Sequence, residues 1–349
     1  MTMATLPIAI TQGDPAGIGP EIIAKAFRDA PDVTRGCFVA GDVATLRRAA
    51  KIITGPGQVG LPVTEIRTAS EALEVPPRCI PVLPVLQAPE LVQVGVISAS
   101  AGRMAADCVT WAARAALRGD IAALVTAPLH KEALAAAGVD FPGHTELLQA
   151  EAAAHLGRPV QEVPVRMMLA NDELKTVLVS IHLSLREAIA AVTTDNVLQT
   201  LRLTHEFLLR TSTPGQTRRR IGVAGLNPHA GEGGLFGREE LDIILPAMEQ
   251  ARREGIDVQG PFAPDTVFMR ARARDAQPGE FDVVVAMYHD QGLIPVKYLG
   301  VEKGVNVTIG LPLVRTSPDH GTAFDIAGTG QADASSLIEA IRMARQLAL

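Results

Sequence analysis

A chain of 349 residues with 47% hydrophobic and 20% charged residues can bury at least one large core, and its length favours two domains. The formal net charge is −6 and no basic run exceeds the RRR at 218–220, which excludes an extended nucleic-acid surface and leaves any anionic substrate to local cations. Cys37, Cys79 and Cys108 lie far apart with no CxxC, there is no basic leader, and no window approaches the roughly 18 apolar residues of a membrane span, so a reducing cytoplasm without a membrane partner is expected.

In chain order, LPIAIT (6–11) predicts a first strand and runs into QGDPAGIGPE, where Pro15 and Pro20 fix the backbone around glycines. CFVAG (37–41) predicts a second. GPGQVG (55–60) has the letters of a dinucleotide fingerprint, but LPVTEI after it reads as a strand where that fingerprint opens a helix, and it is set aside. A helix over 99–120 precedes the strand IAALVTA (121–127), which leads to His130 and Lys131 in TAPLHKEAL. GHTELL places His144 and Thr145 after a turn, with Glu146 at a helix start. TVLVSI (176–181) ends in His182, and helices follow over 184–192 and 194–210. RIGVAG (220–225) leads to LNPHAGEGG and a helix over 238–255, DVVVAM (282–287) leads to YHDQG, and VNVTIG (305–310) precedes an apolar run ending in Arg315. A helix opened by Asp333 closes the chain. The Pro/Gly-rich segments at 54–62 and 211–216 read as surface connections.

Strands that are apolar throughout and alternate with helices indicate an α/β protein with a largely parallel sheet covered on both faces. In such sheets ligands lie outside the carboxyl ends of the strands, and the polar segments follow those ends. Three of them deliver a histidine: His182, His229 and His289. A lone histidine there is more often structural, but three at equivalent strand ends point to a metal with an open coordination position. His155, His205 and His320 lack that context. The segment GLNPHAGEGG can present backbone N–H groups to a pyrophosphate, making Asn227, Gly231 and Gly233 candidate cofactor contacts, although a tight strand-to-helix turn accounts for it equally. His144 and Thr145 are open to either a substrate contact or a simple helix cap. Asn306, between Val305 and Val307, faces the opposite side of its strand; with Lys297 and Arg315 it suits an anionic or hydroxylated partner, against a structural ion pair or a solvated lysine.

Those segments, with SIHLSLREAI and GVNVTIGLPLVRTSPDHGTAFDIAG, resemble the 4-hydroxythreonine-4-phosphate dehydrogenases of pyridoxal phosphate biosynthesis and their paralogues, from about residue 6 to the last helix. The resemblance implies two α/β domains around a cleft, similar to isocitrate and isopropylmalate dehydrogenases. The expected division is 1–136 with 313–349, and 137–312 carrying the metal ligands and dimer interface. It implies a homodimer with shared active sites and a divalent metal (zinc, cobalt, manganese or magnesium) on His182 and His229, with His289 from the partner. Asp290 and Gln291 would orient that last imidazole. Substrate contacts implied are His144, Thr145, Lys297, Asn306 and Arg315, with NAD or NADP as hydride acceptor and decarboxylation of the resulting keto acid. Lys297 is the candidate for proton movement, since a desolvated lysine shifts its pKa readily.

The segment 149–169 looks longer than in the vitamin B6 enzymes, which leaves the substrate open. Paralogues act on four-carbon phosphorylated sugar acids, and others on cis-dihydrodiol carboxylates such as that of the terephthalate pathway. Retention of His144, Thr145, Glu146, Asn306 and Arg315 favours a phosphorylated substrate. A non-catalytic phosphometabolite-binding protein is the reading from another class, and the three-histidine set argues against it.

Overall fold

The computed structural model describes residues 6–55, 57–87, 89–211, 219–274, 277–300 and 303–348. Most of the connection expected at 211–216 lies outside them, as does Pro56. The chain divides into two compact units, Met1–Pro164 with Leu311–Ala348, and Val165–Gly310. The division expected near 136 therefore falls at 164. The helix His144–Leu156 packs on the helix Ala99–Arg118, and Arg114 pairs with Glu151 across them at 2.8 Å, which keeps His144 and Thr145 with the first unit.

The strands among the described residues are β1 (Ile8–Thr11), β2 (Cys37–Gly41), β3 (Val63–Glu65), β4 (Ile80–Pro84), β5 (Ala123–Thr126), β6 (Arg166–Ala170), β7 (Lys175–Leu178), β8 (Ile221–Ala224), β9 (Val258–Phe262), β10 (Val283–Ala286), β11 (Val305–Ile309) and β12 (Arg315–Pro318). In the first unit they lie in the order β3-β4-β2-β1-β5-β12, and each of these pairs is parallel. In the second the order is β11-β6-β7-β10-β8-β9, with β6 antiparallel to both its neighbours and the rest parallel. Every residue of β1, β2, β5, β8 and β10 is buried, as expected for strands covered on both faces.

Local chemistry explains most helix boundaries. Ser98 Oγ accepts from Ala101 N at 3.2 Å to start the helix Ala99–Arg118, and Gly119, at φ 79°, ends it. Ser184 and Glu187 form a reciprocal cap for Leu185–Ala191. The helix expected over 238–255 opens as a wide π turn, Glu240–Ile244, and becomes α-helical only at Leu245–Arg253. Asp333 stands two residues ahead of the last helix, Ser335–Leu347, and accepts from Ser335 N at 2.9 Å. Arg315 follows the apolar run Leu311–Val314 and opens β12, because Leu311–Leu313 form a bend and not a strand. No helix of the described residues is long and apolar enough to cross a membrane. The three cysteines are free and buried, and burial pushes the Cys37 thiol up to about 11.

Candidate functional site

In the first unit β1 and β5 run parallel and end side by side, Thr11 opposite Thr126. The segments leaving them must therefore emerge together. Gly13, at φ 70°, makes this possible: a Cβ there would stand 2.4 Å from the Pro128 carbonyl oxygen. Asp14 is fully buried; one carboxyl oxygen accepts from Ala16 N at 2.8 Å and the other has no partner. Burial raises its pKa above the usual carboxylate range, opposed by the Ala16 N–H and by the charge of His130. The His130 ring stacks on Phe324 at 4.9 Å, and Glu21 accepts from Gly330 N at 2.9 Å and from Gly328 N, which fastens the segment 320–330 onto 13–21. Thr11 Oγ1, Gln12 Nε2, Asp14 Oδ2, His130 Nδ1 and His144 Nε2 are all buried without a hydrogen-bond partner, and all five belong to this edge. Buried polar atoms are normally satisfied, so such a concentration marks a place built to receive polar groups.

Arg315 lies on the same edge, 4% exposed, donating through Nε and Nη2 to Thr126 Oγ1 at 3.1 and 2.7 Å. Burial lowers its pKa to about 10, against the attraction of the Glu146 carboxylate. His144, the first residue of its helix, has its pKa well below the usual value, first through burial of the ring and then through the Arg315 charge, while a backbone hydrogen bond with Ala127 opposes both. It is a neutral imidazole beside a cation at a helix N-terminus, and Thr145 is half-buried next to it.

The second unit holds the other expected residues. β7, β10 and β8 are parallel neighbours, and the residues following them are His182, Tyr288–His289 and Leu226–His229. Ser180 Oγ donates to Met287 O at 3.0 Å, tying the first two strand ends together, and the His182 and His289 rings stand 5.7 Å apart between centroids. His289 Nδ1 meets Asp290 Oδ1 at 2.7 Å, the orienting contact expected of Asp290. Gln291 does not reach the imidazole: it donates to Gly225 O at 2.8 Å and accepts from Met287 N at 2.7 Å, joining the ends of β8 and β10. The His229 ring packs on Phe236 at 6.1 Å. Among the described residues no group of three or more His, Cys, Asp or Glu is arranged to hold a metal, so one chain brings His182 and His289 together without His229. Lys297 sits half-buried in the last turn of the helix His289–Tyr298, and Asn306 is half-buried on β11 between buried Val305 and Val307.

Two of the three histidines occupy left-handed backbone, His182 at φ 50° and His229 at φ 52°. For non-glycine residues this costs roughly 1–2 kcal/mol each, a strain that persists only where the surroundings enforce it. The segment expected to bind a pyrophosphate is otherwise engaged: Asn227 Nδ2 donates to Glu239 at 2.7 Å and to Glu240 at 2.9 Å, and two carboxylates there disfavour an anion. Sequence reasoning passes over Thr126, Asp14, Asp319 and Glu240. Asp14, Thr126 and Asp319 lie inside quoted segments but, like Glu240, carry no local signal of their own, because their roles come from burial.

Comparison with known proteins follows from this geometry. A relative from Beijerinckia indica named 4-hydroxythreonine-4-phosphate dehydrogenase is 51% identical over 347 residues, covering 99% of this chain and 96% of its own. One from Salmonella typhimurium named D-threonate 4-phosphate dehydrogenase is 47% identical over 356 residues, covering 99% and 100%. The solved structure of a 4-hydroxythreonine-4-phosphate dehydrogenase from Klebsiella pneumoniae superposes with a TM-score of 0.86 at 41% identity, covering 99% of this chain and 100% of that one. The α/β fold and these relatives define the class: the chain is an oxidoreductase, a dehydrogenase by kinship. Residues 33–344 match the family model described as Pyridoxal phosphate biosynthetic protein PdxA, and the chain belongs to that family.

Proposed function

We propose that the chain oxidises the secondary hydroxyl of a small hydroxy acid bearing a terminal phosphate, 4-phosphohydroxythreonine or a four-carbon relative such as D-threonate 4-phosphate, with NAD or NADP as hydride acceptor and loss of CO2 from the keto acid. The observation that carries this reading is the buried Arg315 guanidinium beside neutral His144 at a helix N-terminus. A cation kept out of water calls for an anionic partner, and the relatives' names each carry a 4-phosphate.

In this reading the first unit grips the phosphate through Arg315, Thr145 and the first-turn amides of the helix. His144, neutral across the physiological range and bonded to the Ala127 backbone, has an acceptor Nε2 that suits a hydroxyl of the substrate or a protonated phosphate oxygen. The unpartnered atoms of Thr11, Gln12 and Asp14 suit the hydroxyls and carboxamide of a nicotinamide nucleotide, so this reading puts the cofactor there rather than at Asn227, Gly231 and Gly233.

The second unit supplies the hydroxyl-side chemistry. Metal–nitrogen distances of about 2.1 Å at a tetrahedral angle put two imidazole centroids roughly 5–6 Å apart. The 5.7 Å between His182 and His289 fits that, and Asp290 fixes the His289 ring. His229 completes the same metal site in this reading, with the three histidines shared between two copies of the chain. The exposed apolar side chains beside His182 and His229, Leu183, Leu185, Leu235 and Phe236, suit burial in that homodimer. The metal, when bound, lowers the pKa of the substrate hydroxyl. Lys297 takes up the hydroxyl proton and returns one after CO2 leaves, and Asn306 orients the substrate's polar groups.

The test is reduction of NAD+ and NADP+ by purified protein with Zn2+, Co2+, Mn2+ or Mg2+, offered 4-phosphohydroxythreonine, D-threonate and D-erythronate 4-phosphates, and terephthalate dihydrodiol. Turnover confined to the phosphorylated acids is expected. Turnover of the dihydrodiol alone, or of nothing, would overturn the proposal.

A further inference from the structure

After β8 the chain makes a left-handed turn, with positive φ at His229 (52°), Ala230 (52°), Gly231 (77°), Glu232 (44°), Gly233 (65°) and Gly234 (99°). Three of these are not glycine, so the turn does not form on backbone preference alone and something must hold it. Glu240, 2% exposed, is placed to do so. Its Oε1 accepts from Leu226 N and Asn227 N, both at 2.7 Å, and its Oε2 accepts from Asn227 Nδ2 at 2.9 Å. The other amide hydrogen of Asn227 goes to Glu239 Oε2 at 2.7 Å.

The fit around this carboxyl is close. A Cβ on Gly231 would stand 2.7 Å from Glu240 Oε2, and one on Gly225 would stand 3.1 Å from Oε1. Glu240 opens the π turn Glu240–Ile244, the kind of local widening that turns a side chain inward at functional sites. From the opposite side Gln291 grips Gly225 O at 2.8 Å. The two residues before the turn, Leu226 and Asn227, are thus held at their N–H groups, and His229 follows two residues later.

We infer that Glu240 is the positioning residue of His229: its buried carboxyl clamps Leu226 and Asn227, forces the left-handed turn, and so sets where the imidazole is presented. Carboxylates that orient metal-binding histidines usually bond the imidazole itself. Here the carboxyl acts on the backbone, and the ring is aimed by the strain it imposes. The inference rests on the reading of His229 as a metal ligand.

Glu240→Gln keeps shape and volume but turns an amide donor toward Asn227 Nδ2, itself a donor. In the full-length protein, Co2+ titration followed by visible absorption and by competition with a chelator should show affinity falling at least about tenfold, the range for residues that orient ligands. Hydrogen exchange of the peptide 226–237 should accelerate while β8 and β10 keep their protection, and the melting temperature should stay near that of the wild type. Asn227→Ala, which removes the Oε2 link but leaves the backbone bonds to Oε1, should move both readouts the same way and less, and serves if the first variant does not fold. In a His229→Ala background, Glu240→Gln should have no further effect on Co2+ affinity. If His229→Ala loses Co2+ and neither Glu240→Gln nor Asn227→Ala does, the positioning role is overturned while the metal reading stands. If His229→Ala binds Co2+ as the wild type does, the metal reading fails and the inference falls with it.

Discussion

Replacing Arg315 with methionine separates stability from recognition. The guanidinium is 4% exposed and its pKa is lowered from the ordinary arginine value to about 10, the largest cause being burial. At 1.36 kcal/mol per unit, keeping it charged costs the folded chain about 3 kcal/mol. The sign is that of a depressed base: the full cost applies below the folded pKa, and it is relieved as pH rises from about 10 toward the ordinary arginine value. Methionine of similar length removes the charge but leaves the Thr126 hydroxyl without the two bonds it accepts, a loss of about 1–3 kcal/mol. The ligand-free variant should therefore be as stable as the wild type at pH 7–8, or more stable by up to about 2 kcal/mol. Losing one charge-assisted bond to phosphate should meanwhile weaken the substrate roughly 10- to 150-fold, since such bonds are worth about 1.5–3 kcal/mol. Denaturant unfolding with and without inorganic phosphate, together with KM for the phosphorylated acid, reads both quantities. A variant less stable by more than about 2 kcal/mol without ligand, or one that keeps its phosphate-dependent stabilisation, would show the arginine to be structural and refute the reasoning.

Other substitutions probe the remaining parts. Gly13→Ala, with its Cβ 2.4 Å from the Pro128 carbonyl oxygen at a φ of 70°, should destabilise the chain by about 2 kcal/mol or more in thermal unfolding; an unchanged melting temperature would mean the two loops separate freely. Asp14→Asn removes a carboxylate whose pKa burial raises, so it should hold or raise stability at pH 7, with the gain shrinking as pH falls toward the unfolded value of 3.8, while dinucleotide binding by fluorescence titration weakens at least about tenfold. Lys297→Met should lower kcat by about 100-fold or more with little change in KM, and unchanged turnover would remove the lysine from proton transfer. His289→Ala should abolish bound metal by elemental analysis without altering the melting temperature greatly, since the ring is only half-buried.

The strands of both units were largely legible because burial on both faces leaves unbroken apolar runs, as in Ile8–Thr11 and Val283–Ala286. β4 was hidden by Pro81 and Pro84, and β6 by RMMLA, which has no β-branched residue. The helix His289–Tyr298 was masked by Gly292 and Pro295 within it. For the proposed site, residue type and position after strands put forward His182, His229 and His289, and a cation after an apolar run put forward Arg315. What sequence could not show is which groups burial leaves unsatisfied or strained. Asp14, Thr126 and Glu240 look ordinary in the sequence, and their significance lies in partners 13 to 189 residues away or in partners they lack.

The docking of the helix His144–Leu156 onto Ala99–Arg118 has an order-of-events consequence. Arg315, His144 and Thr145 belong to one compact unit, so in the proposed reading that unit by itself carries the phosphate grip, while His182, His229, His289 and Lys297 belong to the other. If those roles hold, anchoring of a substrate by its phosphate is independent of loading of the metal. A phosphate-bearing fragment without the hydroxy acid, such as glycerol phosphate, should compete with substrate equally well in metal-stripped and metal-loaded protein, so that the handle of the substrate is recognised apart from the part that reacts.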